Sequence, residues 1–71
     1  MLMRGSDYMG NRLKELRESR GLSQAQLAER TGINVNSIIS WEVGRRELVN
    51  IYTIMKLAEA LGYNVLDFVE K

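Results

Sequence analysis

The 71-residue sequence contains no cysteine, no histidine and no proline. Without cysteine there is no disulfide and no thiolate metal site. Without histidine the commonest metal ligand and the usual general base at neutral pH are both missing. Long apolar runs are absent as well: the longest stretches are a few residues, far below the ~20 that span a bilayer. The opening MLMRGSDYMG is too short and too polar for a secretory signal. A soluble, cytoplasmic protein is the expectation, and a reducing compartment suits a chain without cysteine. An excess of one charge is also lacking. Ten Lys and Arg stand against nine Asp and Glu, a net charge of +1, so any case for a nucleic-acid partner rests on where the charges lie.

These absences weigh against catalysis. The nearest paired carboxylates, Glu15 and Glu18, fall one helical turn apart on what should be a solvated face. With no phosphate-cradling glycine loop either, no nucleophile, base and orienter can be assembled from neighbours. No enzyme, cofactor, metal or small-molecule ligand is expected.

What is present is punctuation. Period-two alternation never persists, which excludes strands, whereas apolar residues recur at spacings of three and four between Ser or Asn starts and glycine stops. Five helices follow. Helix 1 is predicted from about Tyr8 to Arg20, capped by Ser6 or Asp7 and ended by Gly21, with Leu13 and Leu16 inward. Ser23 opens helix 2 with Gln26 at the capping-box position and Leu22 stapled to Leu27. Gly32 supplies the positive φ that ends this helix and turns the chain sharply. Asn34 caps helix 3, with Ile33 stapled to Ile38 and Gly44 as the stop. Ala28 is expected where helices 2 and 3 approach most closely, and Leu27, Ile38 and Trp41 on their inner faces. Helix 4 is predicted from Ile51 to Leu61, capped by Asn50 with a Val49 to Ile54 staple, burying Ile51, Ile54, Leu57, Ala58 and Leu61 before Gly62. A short helix 5 opens at Asn64 with Asp67 at the capping-box position and Tyr63 stapled to Phe68, burying Val65 or Leu66, Phe68 and Val69. Residues 1–7 are expected to form a flexible N-terminal segment, and residues 8–71 a single domain. A core this small is marginal alone, so dimerisation would help.

The hairpin from Leu22 to Gly44 is the most informative segment. Two short capped helices joined at a tight glycine turn form a device for setting one helix in a DNA groove. In the same region the order of LR with GLSQAQLA (Leu16 to Ala28), TGI (Thr31 to Ile33), SIISWEVGRR (Ser37 to Arg46) and KLAEALGYNVLDFV (Lys56 to Val69) resembles the lambda repressor and Cro family of phage and bacterial helix-turn-helix regulators. The likeness runs from about Met9 to Val69. It implies an all-α, compact five-helix lambda-repressor-like domain with the helix-turn-helix at helices 2 and 3. The function it implies is sequence-specific binding of double-stranded DNA by a repressor-like homodimer, helix 3 entering the major groove of a palindromic operator whose half-sites lie about one helical turn (~34 Å) apart. Dimer contacts are expected after Gly62.

By that resemblance Val35, Asn36, Ile39 and Ser40 face base edges. Phosphates fall to Ser23, Gln24, Ser37, Arg45 and Arg46, aided by the free N–H groups and dipole at the start of helix 2. Asn36 is the best candidate for direct readout, since an amide matches adenine with one donor and one acceptor. Val35 and Ile39 can offer only apolar contact, most naturally to thymine methyls, so a T-containing half-site is expected. The family also pairs an arginine late in helix 1 with the glutamate after the aromatic or leucine position of helix 3. Arg17 and Glu42 occupy those positions, and a partly buried structural ion pair is implied.

One departure from the family pattern matters. Between Asn34 and Gly44 there is no Lys or Arg, and Val35, Ile39 and Val43 form an i, i+4, i+8 apolar stripe. An exposed stripe of that kind also suits a protein partner. The alternative reading is therefore a helix-turn-helix interaction module, such as an antitoxin or anti-repressor.

Overall fold

A computed structural model describes the chain over residues 5–69, with side chains from 9 to 68. Five helices succeed one another: α1 (Gly5–Ser19), α2 (Gln24–Thr31), α3 (Val35–Glu42), α4 (Ile51–Leu61) and α5 (Leu66–Val69), with no strand among the described residues. The all-α, five-helix expectation holds. α1 packs on α3, α2 lies against both α3 and α4, and α5 closes over α1 and α4.

The core is the point where these faces meet. Leu13 and Leu16 from α1, Leu27 from α2, Ile38 and Trp41 from α3, Ile54, Leu57, Ala58 and Leu61 from α4, and Phe68 from α5 are all buried. Each Leu or Phe withdrawn fully from water contributes roughly 1.5–3 kcal/mol. Leu48, in the loop before α4, joins them at 1% exposure. No helical period marks it, because it lies in no helix.

The structure departs from the sequence reading at two places. α1 begins at Gly5, so Ser6 and Asp7 lie within the helix instead of capping it; residues 1–4 lie outside the described residues. In α4 burial begins at Ile54: Ile51 is 50% exposed and Val49 71%, so the Val49 to Ile54 staple does not form. The first turn of α4 overhangs the core, and Leu48 is enclosed in place of Ile51. In α5 the reading holds: Phe68 is buried and, of the pair Val65 and Leu66, Val65 is half-buried while Leu66 faces solvent; Val69 lies outside the described side chains. Asp67 does act as a cap, its Oδ2 accepting the Asn64 N–H at 2.8 Å.

Arg12 in α1 and Arg20 just past its end tie the C-terminal helices down. Arg12 Nε donates to the Asp67 carbonyl at 2.6 Å. Arg20 Nε donates to the Leu61 carbonyl at 2.8 Å, at the negative end of α4, and its guanidinium lies 4.2 Å from the centre of the Tyr63 ring.

Candidate nucleic-acid interface

The entry to α2 is built by a complete capping box. Ser23 Oγ accepts the Gln26 N–H at 3.0 Å, and Gln26 Oε1 accepts the Ser23 N–H at 2.8 Å. The other first-turn N–H groups remain as the positive end of the helix. At the far end Gly32 takes φ +75° and donates to the Ala28 carbonyl. The buried Thr31 hydroxyl donates to Leu27 O at 2.9 Å and accepts the Ile33 N–H at 3.2 Å. That bonded turn sets the direction of α3.

α3 starts at Asn34, whose Oδ1 accepts the Asn36 N–H at 2.7 Å. Its inner face holds Ile38 and Trp41 in the core. On the outside, Asn36 and Val43 are exposed, and Val35, Ser37, Ile39 and Ser40 are half-buried. The helix ends in a Schellman closure: the Arg45 N–H donates to Ser40 O at 2.8 Å, the Gly44 N–H donates to Trp41 O at 3.2 Å, and Gly44 takes φ +80°. Arg45 and Arg46 leave that closure exposed to solvent.

Behind this face lies a charged knot. Glu42 Oε2 accepts Arg17 Nε at 2.8 Å and Oε1 accepts Arg17 Nη2 at 3.0 Å, a two-pronged pair in which the side chains are 2% and 9% exposed. Arg17 Nη1 donates to the Leu22 carbonyl at 2.6 Å, stitching α1 to the start of the hairpin. Donation to the Glu42 carboxylate raises the Arg17 pKa above the ordinary arginine value against the opposing effect of burial, so the guanidinium stays charged.

Two links were not visible in the residue pattern. Gln24 Nε2 donates to Glu42 Oε1 at 3.0 Å, so the first residue of α2 is held by the last residue of α3. Arg46 Nη1 donates to Ser37 Oγ at 3.2 Å, with its guanidinium 5.8 Å from the Trp41 ring centre. Of the residues singled out for phosphate, the structure thus joins Ser37 to Arg46 and ties Gln24 to the ion pair. Ser23 is occupied by its own cap, and Arg45 projects past the helix end. Gly10 was missed altogether. It sits where α1 crosses the end of α3, and a glycine inside an otherwise periodic helix is the sequence signal of such a close approach.

The helix-turn-helix family HTH_3 matches residues 13–68 of this sequence. The chain belongs to that family. HTH_3 proteins are DNA-binding transcriptional regulators rather than enzymes, and solved structures carry the same architecture. An HTH_3 family transcriptional regulator from Vibrio cholerae superposes with a TM-score of 0.83 at 33% identity over 90% of this chain, which spans 35% of that longer protein. The restriction-modification controller protein C.AhdI from Aeromonas hydrophila superposes with a TM-score of 0.82 at 36% identity, covering 89% of this chain and 94% of its own. Compared with curated protein sequences, the chain has no significant match. Among the described residues no helix is long and apolar enough to cross a membrane.

Proposed function

We propose that this HTH_3 domain binds double-stranded DNA sequence-specifically as a dimeric, repressor-like regulator, with α3 in the major groove of a palindromic operator. The observation that carries the reading is the uncharged outer edge of α3, bearing Asn36, Ile39 and Ser40, bounded by Arg45 and Arg46 beyond its end. Base edges fall to Val35, Asn36, Ile39 and Ser40. Phosphates fall to Ser23 and Gln24 at the positive end of α2, and to Ser37, Arg45 and Arg46. Phosphate contacts of this kind fix register, and groove contacts select sequence.

Support for a homodimer comes from apolar side chains left in solvent on α4 and α5, where Tyr52 is 77%, Met55 49% and Leu66 60% exposed. A second copy covering them would relieve that exposure and would set two recognition helices on one duplex.

The test is duplex binding at low and moderate salt, repeated with Arg45 and Arg46 both changed to Ala. Binding that weakens with salt and with the double change supports the proposal. The second reading, a protein-interaction module, draws on Val43, which is 61% exposed at the end of the Val35, Ile39, Val43 stripe. Absence of duplex binding, or binding indifferent to the double change, favours it.

A further inference from the structure

We infer that α3 selects A·T pairs through thymine methyl groups and one adenine contact, and that it brings no charged side chain to guanine or cytosine. The inference rests on the DNA-binding reading and specifies its ligand. Reading guanine through N7 and O6 is the work of Arg or Lys, and accepting from the cytosine amino group is the work of Asp or Glu. From Val35 to Val43 the only ionisable residue is Glu42. Its carboxylate is turned inward, 2% exposed and bonded to Arg17 and Gln24, so it cannot reach a base.

The neighbouring polar groups lie to the side of the outer edge of α3, where phosphates are expected. The Gln24 amide donates to Glu42, and one N–H of the exposed Arg46 guanidinium donates to Ser37 along the flank of the helix, leaving its other donors for a phosphate. Arg45 lies beyond the Schellman closure at the end of α3. What faces outward is aliphatic at Val35, Ile39 and Val43, amide at Asn36 and hydroxyl at Ser40. Aliphatic groups discriminate thymine by its methyl, and an amide pairs in two-pronged fashion with adenine N6 and N7. A hydroxyl serves either base and adds no preference against A·T.

The experiment is selection of bound duplexes from a random pool by the intact chain. Thymine is then replaced by uracil at single positions of the winning half-site. The expected half-site is discriminated at A·T pairs, with affinity falling about fourfold for each contacted methyl removed. Ile39→Ala should abolish the uracil effect at one position, and Val35→Ala at another; far-UV circular dichroism verifies that each variant is folded, so either one alone suffices. A half-site discriminated at G·C pairs, or uracil tolerated at every position, overturns the inference and leaves DNA binding standing. Enrichment of no duplex removes the DNA-binding reading and this inference with it.

Discussion

Gly10 of α1 lies against the main-chain carbonyl of Trp41 in α3: a Cβ placed on Gly10 would sit 1.8 Å from that oxygen and 2.8 Å from its carbon. Exchanging glycine for alanine inside a helix ordinarily stabilises it by roughly 1 kcal/mol. Here the neighbour is backbone and cannot rotate away, so the helices must separate. Gly10→Ala is expected to lower stability by about 1–3 kcal/mol, the range for forcing extra volume into a packed site. Urea unfolding measures it, and a variant as stable as the parent would show that the crossing tolerates a side chain.

The Arg17 and Glu42 pair makes a second prediction. Arg17→Met leaves a carboxylate buried with only Gln24 beside it, and removing one partner of a buried pair costs about 3–5 kcal/mol. Replacing both, as Arg17→Met with Glu42→Leu, should lose less than the sum of the single changes because no charge is stranded. Additive losses in denaturant titrations would show the two side chains to be uncoupled.

Beyond the end of α3, the Arg45→Ala and Arg46→Ala double variant should keep the parent's stability, since both side chains are exposed. Its signature belongs in the salt dependence of duplex binding. Every phosphate that is no longer neutralised by a cation reduces the slope of log K against log salt by about 0.9, so the double change should flatten it by roughly 2. An unchanged slope would remove these arginines from the DNA-binding surface.

Asn36 is exposed, and its part in the cap is played by its backbone N–H. Asn36→Ala should therefore leave folding intact while relaxing preference at a single base pair by about 1–3 kcal/mol. Competition between the selected duplex and single-pair variants measures this. Equal weakening on selected and random duplexes would assign Asn36 a role without sequence choice.

Thr31 tests the joint of the hairpin. Thr31→Val keeps the shape but removes the hydroxyl, leaving the Ile33 N–H without its acceptor in a half-buried turn. A loss of about 1–3 kcal/mol is expected. Thermal unfolding at the parent's midpoint would show instead that the joint needs no side-chain bond.

Determinants that act within a few residues were readable directly. The Ser23 and Gln26 capping box, the Asn34 and Asn50 caps, and the glycine turns at Gly32 and Gly62 join atoms separated by four residues or fewer, and the chain carries its own instructions for them. Amphipathic spacing likewise located Leu13, Leu16, Leu57 and Leu61 in the core. Other features needed the packed molecule. Periodicity placed Ile51 on the buried face, but which turn of a helix meets a neighbour depends on where that neighbour ends, and α4 overhangs its partners there. Leu48 gained its burial from a loop path that no helical repeat encodes. The approach of Gly10 to Trp41 and the capture of Gln24 by Glu42 bring together residues far apart in sequence, through helix crossings settled only when the whole core closes. The inward turn of Glu42 belongs to the same class. It removes the one charge from the outer edge of α3, and with that the tertiary structure decides what chemistry the edge presents.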